Sequence, residues 1–213
     1  MLESSRRVRA FEASAAIAAI GLAFLVNFYA GRYVHRLGAR LPSLTEDLLL
    51  HALPRMDLTV LFVWGFAAFL VFAAAAALLT ERGRIPYILW MYALLISMRG
   101  MFIMLTPMGT PSGMFPIEDY TLFNMVGRYL TFKNDLFFSA HTSMPFLGFL
   151  IYRRGWVRIL FLAGSIAMGF CVLLSRLHYS IDVIGAYFIT YAVVRIHQEI
   201  FEMRYAKWKK RWG

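Results

Sequence analysis

The sequence predicts an all-α, polytopic integral membrane protein with six transmembrane helices and a short amphipathic helix between the first two. Of its 213 residues, 60% are apolar and only 16% are charged, whereas about a quarter of the residues in a soluble domain are charged. The mean hydropathy is +0.61, which is too apolar for a chain of this size to bury in one core. The apolar residues also fall into runs of the roughly 20 residues that a helix needs to cross a bilayer.

Six apolar runs are candidates for these helices, and together they predict a single membrane-embedded domain over residues 1–213. They lie near residues 12–31, 57–79, 85–106, 136–152, 156–174 and 179–198. Arginines precede the first run, but the run is longer than the apolar part of a cleavable signal peptide. We therefore expect it to be a retained signal anchor.

Two of the connections between the runs are informative. In the first, Ser43 and Glu46 have the spacing of a capping box, and Pro54 would end the helix that they begin. This predicts the short amphipathic helix, placed at the membrane interface. The connection over residues 107–135 is rich in proline, glycine and aromatic residues and is too long for a simple turn. We expect it to be an ordered loop that covers a site.

The formal net charge of +10 would suggest a nucleic-acid partner in a soluble protein. Here, lysine and arginine gather between the apolar runs, as they do in cytoplasmic loops beside anionic lipid. We therefore expect membrane lipids and no nucleic acid as partners. These residues are more frequent on the side that holds both termini, which predicts cytoplasmic termini and a 107–135 loop on the outer, periplasmic or luminal face. The compact chain favours a bacterial inner membrane.

Candidate catalytic residues begin with an ionisable pair in the last run. Asp182 follows His178 by four residues, one helical turn along the same face. A carboxylate at one imidazole nitrogen fixes the tautomer and leaves the other nitrogen free to attack or to take a proton. The alternative is that Asp182 only neutralises Arg176 or satisfies a buried histidine.

Three further residues extend this site. His141 begins the fourth run, on the same predicted membrane face as His178. Arg99 lies about seven residues, roughly 10 Å, from that face; it can bind phosphate oxygens or snorkel to the interface. Ser139 can cap a helix or hydrogen-bond a phosphate. Two histidines and an arginine suit phosphoryl transfer, in which one imidazole attacks phosphorus and the other protonates the leaving oxygen. We expect no cofactor and no metal, since the motifs of zinc sites are absent.

Two segments resemble the signature motifs of the sphingomyelin synthase branch of the type 2 phosphatidic acid phosphatase superfamily. They are Ser139-Ala140-His141-Thr142 and His178-Tyr179-Ser180-Ile181-Asp182-Val183, the latter followed by Ala186-Tyr187. Serine stands at Ser180 where the branch usually has threonine. Arg99 with Met101, and the first loop with Asp47 and Asp57, are similar to the branch more weakly. The Lys-x6-Arg-Pro motif of the phosphatase branch is absent, and Ser175-Arg176 lies closer to its histidine than the corresponding phosphatase pair, which favours the synthase branch.

The resemblance implies that His178 is the nucleophile, Asp182 its orienting acid, and His141 the general acid and then base. It implies an enzyme that moves a phosphate-containing head group from a phospholipid donor to a lipid hydroxyl, such as that of ceramide, through a phosphohistidine. With water as the acceptor, the same site would be a lipid phosphate phosphatase or a phospholipase C-type hydrolase. The candidates for phosphate and head-group binding are Arg99, Ser139, Arg176, Lys133, Arg128 and Tyr179.

Two other classes of membrane protein remain open at this point. A transporter would use Arg99 and Asp182 along its pathway, although polar residues do not recur through several runs as a transporter requires. A membrane haem protein would use His141 and His178 as axial ligands. The sequence leaves the oligomeric state open, homo-oligomers included.

Overall fold

A computed structural model describes residues 2–43, 47–117 and 134–212. Over these residues the protein is built from helices and their connections, without a β-strand, so the all-α prediction is confirmed. The α-helices are α1 (Leu2–Leu37), α2 (Leu48–Ala52), α3 (Phe66–Thr80), α4 (Ile85–Leu105), α5 (Ala140–Ile151), α6 (Gly155–Leu174) and α7 (Ser180–Trp212). A π-helical turn, Leu61–Gly65, leads directly into α3, and 3₁₀ turns occupy Gly38–Arg40 and Arg82–Arg84.

Four helical segments of the described chain are long and apolar enough to cross a membrane. They are Phe11–Leu37, Leu61–Thr80, Arg82–Leu105 and Gly155–Leu174, which correspond to the first, second, third and fifth predicted runs. Helix α5 is apolar but has only 12 residues, about 18 Å, against a hydrocarbon core of about 30 Å. The sixth predicted run lies in the 33-residue α7, which is not among the four. Length and composition therefore support four of the six predicted spans.

Helix α5 begins later than the predicted run because the chain before it cannot be helical. Phe137 and Phe138 have φ angles of 54° and 97°, in a region that residues with a Cβ atom rarely adopt. The helix therefore starts at Ala140 rather than near residue 136. As a result, His141 lies in the first turn of α5.

The short helix of the first loop exists, but its predicted cap is wrong. The N-cap of α2 is Asp47, whose side chain accepts a hydrogen bond from the Leu50 N–H at 3.0 Å. Ser43 instead donates from Oγ to the Thr110 carbonyl at 2.7 Å, and Glu46 lies outside the described residues. Pro54 was predicted to end this helix. The helix ends two residues earlier, at Ala52.

Helix α1 packs along α4 through a row of small residues. Ala16, Ala23 and Ala30 recur at every seventh position and are at most 1% exposed. A seven-residue repeat keeps these side chains on nearly one face of the helix, and small side chains let the backbones of neighbouring helices approach. At Gly100 of α4, an added Cβ would lie 3.4 Å from the Cα of Asn27. This close packing places Asn27 and the end of α4 side by side.

A charged cluster closes one end of the bundle. Glu81, between α3 and α4, accepts hydrogen bonds from Arg84 Nη1 at 2.9 Å and from the Arg153 N–H at 2.8 Å. Arg84 also donates to the Ile151 carbonyl at 3.0 Å. Burial raises the pKa of Glu81, but the hydrogen bonds from Arg153 and Arg84 outweigh it and hold this pKa below its ordinary value. The cluster thus joins the α3–α4 turn to the α5–α6 turn.

A substitution at Gly148 can test how closely α5 packs against α6. An added Cβ would lie 2.5 Å from Cδ1 of Phe161, a fully buried ring held between Phe72 and Tyr152. We expect Gly148→Ala to lower the free energy of unfolding by about 1–3 kcal/mol through overpacking, measured as thermal unfolding in detergent. Gly164→Ala is the control, since nothing lies within 4 Å of its added Cβ. Equal melting temperatures for the two variants would contradict this packing.

Candidate active site

His178 and Asp182 form the buried pair that their spacing predicts. His178 Nδ1 lies 3.0 Å from Asp182 Oδ2, and Asp182 is fully buried. The same Oδ2 accepts the backbone N–H of Tyr179 at 2.9 Å. Because the carboxylate binds Nδ1, the nitrogen of His178 that is left for chemistry is Nε2.

The turn before α7 determines where His178 lies. The Arg176 N–H donates to the Leu173 carbonyl at 3.0 Å, and the Leu177 N–H donates to the Val172 carbonyl at 2.9 Å. These two bonds form a Schellman motif at the end of α6. Its left-handed position usually holds glycine, but here it holds Arg176, with a φ of 58°. The turn reverses the direction of the chain and places His178 two residues after Arg176.

The Ser175-Arg176 pair attaches the first loop to this turn. The Arg176 guanidinium donates to the Leu53 carbonyl at 3.1 Å. Ser175 Oγ accepts the Leu58 N–H at 3.0 Å and donates to the Met56 carbonyl at 3.3 Å. The structure therefore places Arg176, a candidate phosphate ligand, against the first loop. It is not among the residues that line the cavity described below.

Asp47 is a second link between the first loop and the catalytic motif. Besides capping α2, it accepts the Ser180 N–H at 2.8 Å and the Ser180 hydroxyl at 2.6 Å. Burial raises the pKa of Asp47, but the hydrogen bonds from Ser180 and the Leu50 N–H outweigh it and hold this pKa below its ordinary value. Ser180 is the position at which the chain departs from the motif it resembles, and its hydroxyl forms part of this link.

His141 is held by two aromatic rings of the second membrane span. Its ring stacks on Phe62, with centroids 3.8 Å apart and planes at 20°, and packs against Phe66 at 4.0 Å. Phe62 belongs to the π-helical turn Leu61–Gly65, and such turns are frequent at functional sites. Sequence reasoning missed both phenylalanines, and their spacing of one helical turn is the only signal that they carry.

The backbone before α5 joins the two histidine motifs. The Ser139 N–H donates to the Asp182 carbonyl at 3.2 Å. Ser139 is the fully buried N-cap of α5, yet its side chain makes no capping bond. Its Oγ has no hydrogen-bond partner among the described residues. Of the two roles predicted for Ser139, the structure therefore excludes capping by the side chain, and the phosphate hydrogen bond stays a prediction.

Arg99 does not snorkel but forms a buried polar network. Its Nη2 lies 2.7 Å from Asp135 Oδ2, its Nη1 donates to Asn27 Oδ1 at 2.5 Å, and its Nε donates to the Phe138 carbonyl at 3.1 Å. Arg99 is 6% exposed and Asp135 is 3% exposed. Within the described residues, Asp135 Oδ1 has no partner. The sequence signals for the two partners were weak: Asn27 is the one amide in its apolar run, and Asp135 lies just outside a predicted span.

The two histidines and the Arg99 network line one cavity of about 100 Å³, whereas Ser139 and Asp182 are not among its lining residues. Its polar wall is formed by His141, His178, Arg99, Asp135 and Asn27, and its apolar wall includes Phe24, Leu70, Ile96 and Met144. Like Asp135, two further residues of the predicted covering loop, Met114 and Ile117, line it. The described part of the 107–135 connection therefore lies against the site, as predicted.

The remaining candidates lie around this cavity or outside the described residues. Tyr179 is 1% exposed and donates from its hydroxyl to the Gly109 carbonyl at 3.0 Å, so it holds the covering loop. Arg128 and Lys133 lie outside the described residues. Across the described ranges, no three His, Cys, Asp or Glu side chains are grouped so that they could hold one metal ion.

Residues 134–199 match the family model PAP2 superfamily C-terminal. The matched segment contains the five residues Asp135, Ser139, His141, His178 and Asp182. The match is a similarity, over about a third of the chain, to the type 2 phosphatidic acid phosphatase superfamily, whose members are lipid phosphatases and phosphotransferases. It does not distinguish the sphingomyelin synthase branch from the rest of the PAP2 superfamily. Comparisons with curated proteins and with solved structures gave no match.

The Arg99–Asp135 pair makes a prediction about stability. Arg99→Met leaves the Asp135 carboxylate buried without a counter-charge, so we expect a loss of about 3–5 kcal/mol in the free energy of unfolding. The double variant Arg99→Met/Asp135→Leu removes both charges and should recover most of that loss. Thermal unfolding in detergent measures both effects. A double variant no more stable than the single one would show that the pair is not the source of the loss.

The link from Asp47 to Ser180 makes a prediction about pH. Because the folded-state pKa of Asp47 lies below its unfolded value, its contribution to stability is present above about pH 4 and is lost as the pH falls through the folded pKa. We expect Asp47→Ala to cost about 1 kcal/mol at neutral pH, as for other lost caps. The difference from wild type should shrink under acid. Unfolding measured across this range tests the sign, and a difference that grows under acid would contradict it.

Proposed function

We propose that this protein is a membrane lipid phosphotransferase that moves a phosphate-containing head group from a phospholipid to a lipid hydroxyl, such as that of ceramide. The observation that carries the proposal is the arrangement of the two histidines. His178 is oriented by the buried Asp182 carboxylate, and it lines the same small cavity as His141. A nucleophile oriented by an acid, with a second acid–base group beside it, is what a double displacement at phosphorus requires.

In the first step, Nε2 of His178 attacks the phosphorus of the donor lipid. An N–P bond forms, the bond from phosphorus to the diacylglycerol oxygen breaks, and His141 gives its proton to that oxygen. Asp182 stabilises the positive charge that develops on the His178 ring. The products are diacylglycerol and a phosphohistidine that carries the head group.

In the second step, His141 takes a proton from the acceptor hydroxyl, whose oxygen attacks phosphorus. The N–P bond breaks, His178 returns to its starting state, and the head group is joined to the acceptor. Water in place of the lipid hydroxyl would make the protein a phosphatase or a phospholipase C-type hydrolase. The two activities therefore differ only in which acceptor reaches the phosphohistidine.

The charges around the cavity favour a phosphodiester donor. Arg99 is compensated by Asp135, so this pair adds no net positive charge to the described wall of the cavity. A phosphodiester carries one negative charge, whereas the monoester of phosphatidic acid carries up to two and needs more compensation. Ser139 Oγ, free of partners among the described residues, is the proposed hydrogen-bond donor to phosphate. Arg128 and Lys133 remain proposed ligands.

We also propose that both termini are cytoplasmic and that the site faces the outer side of a bacterial inner membrane. The site lies at the end of the bundle where residues 107–117 and 134–139 meet the helices. The opposite end carries the Glu81 cluster and arginines that include Arg82, Arg84 and Arg153. The positive-inside rule supports this orientation.

Turnover in lipid nanodiscs tests the proposal. Wild type and His178→Ala are incubated with labelled phosphatidylcholine, phosphatidylethanolamine, phosphatidylglycerol or phosphatidic acid, each with and without ceramide, and the products are resolved by mass spectrometry. We expect wild type to form a ceramide phosphodiester and to prefer the diesters over phosphatidic acid. His178→Ala should be inactive, and His141→Ala should be slowed by about 10²–10⁴-fold. His51→Ala, an exposed histidine on α2, is the matched control and should behave as wild type.

Each other result has a definite meaning. Release of phosphate or of a phosphorylated head group regardless of ceramide would identify a hydrolase. Equal activity of wild type and His178→Ala would rule out the phosphohistidine. A haem absorption band in the purified protein, with no lipid turnover, would favour axial ligation by the histidines over catalysis.

A further inference from the structure

An apolar groove continues from the catalytic cavity along α3, α4 and α5. The cavity and the groove share four lining side chains, those of Phe24, Leu70, Ile96 and Met144. Beyond them the groove follows α3 from Leu70 to Ala77, a rise of about 10 Å, with Ala73 and Ala74 between. Its volume is about 180 Å³, larger than the cavity that holds the histidines.

The two tyrosines that line the groove offer it no free hydroxyl. Tyr92 donates from its hydroxyl to the Met144 carbonyl at 3.2 Å, and Tyr152 donates to the Ala73 carbonyl at 2.9 Å. The other lining residues are all apolar. A polar occupant would lose its hydrogen bonds with water and gain none here. The chemistry of the groove therefore suits a hydrocarbon chain.

A buried charged cluster lies one helical turn beyond the end of the groove that is away from the histidines. Ala77, which lines that end, accepts the Glu81 N–H on its carbonyl at 3.1 Å. Glu81 is 6% exposed and bound to Arg84 and to the backbone of Arg153. A hydrocarbon chain cannot pass through such a cluster without breaking its hydrogen bonds. The lining of the groove along α3 thus ends at Ala77, one helical turn before this cluster.

We propose that this groove binds one acyl chain of the phospholipid substrate, and that Ala73 and Ala77 limit the length of chain that it accepts. The inference rests on the proposed function, since it places the phosphate beside the histidines. The catalytic cavity has a volume of about 100 Å³, too little for a phosphate group together with two acyl chains. The chains of a lipid must therefore leave it, and the groove is a continuous apolar path. Three of the alanines at 73–77 in α3 thus line a binding site.

Leucine substitutions along α3 test the proposal by kcat/KM on short-chain and long-chain forms of the four phospholipids above. Ala77→Leu fills the far end of the groove, and Ala73→Leu fills its middle. We expect Ala77→Leu to lower the long-chain to short-chain ratio about tenfold, because roughly two methylenes lose their buried place. Ala73→Leu should shift the limit to still shorter chains. Ala75→Leu is the control, because Ala75 does not line the groove. A wild-type ratio in Ala77→Leu would overturn the proposal.

Photolabelling separates this proposal from the proposed function. The probe is phosphatidylcholine with a diazirine at the end of one acyl chain, and His178→Ala is used so that labelling does not depend on turnover. We expect label on the groove side chains of α4, Ile88 to Tyr92, in His178→Ala and in His178→Ala/Ala75→Leu, and its loss in His178→Ala/Ala77→Leu. Groove labelling in His178→Ala, combined with no lipid turnover by wild type, would remove the proposed function and keep the acyl site. Groove labelling that persists in His178→Ala/Ala77→Leu would contradict the proposed acyl-chain site.

Discussion

A carboxylate buried among membrane helices must find its hydrogen-bond donors inside the protein, because lipid supplies none. Asp182 meets this constraint at Oδ2, which binds His178 Nδ1 and the Tyr179 N–H, while its Oδ1 has no hydrogen-bond partner among the described residues. The backbone of Asp182 also binds the segment before α5, where its carbonyl accepts the Ser139 N–H. His141 lies two residues beyond that bond. Asp182, whose side chain orients His178, thus also holds through its backbone the segment that leads to His141.

Unusual backbone is concentrated around this arrangement. Phe137, Phe138 and Arg176 are the non-glycine residues with positive φ in the described chain, and they immediately precede the two histidine motifs. Such conformations cost about 1–3 kcal/mol each and persist where surrounding contacts determine them. Here the contacts are specific: the Phe138 carbonyl receives Arg99 Nε, and the Arg176 guanidinium binds Leu53. Hydrogen bonds to distant helices and loops therefore hold the strain in place.

Local spacing was sufficient to predict part of the site. His178 and Asp182 are one helical turn apart, so their contact follows from the geometry of a helix start. Asp135 was missed because its partner, Arg99, lies 36 positions earlier in the sequence, and no local pattern joins them. The cap of α2 was wrong for a similar reason: Asp47 is held both by its own helix and by the distant Ser180. Long apolar helices were recovered from composition, whereas the irregular segments between them depend on tertiary contacts.

In the proposed reaction, the competition between a lipid hydroxyl and water is decided around the phosphohistidine. Water can occupy the polar wall of the cavity, where Asp135 Oδ1 lacks a partner among the described residues. On the opposite wall, Leu70, Ile96 and Met144 lead into an apolar groove from which water gains nothing. A substrate chain in that groove excludes solvent from one side, and Met114 and Ile117 cover another part of the cavity. We therefore expect transfer to be favoured when both surfaces are occupied, so that the groove proposed to bind the donor would also protect the proposed intermediate from hydrolysis.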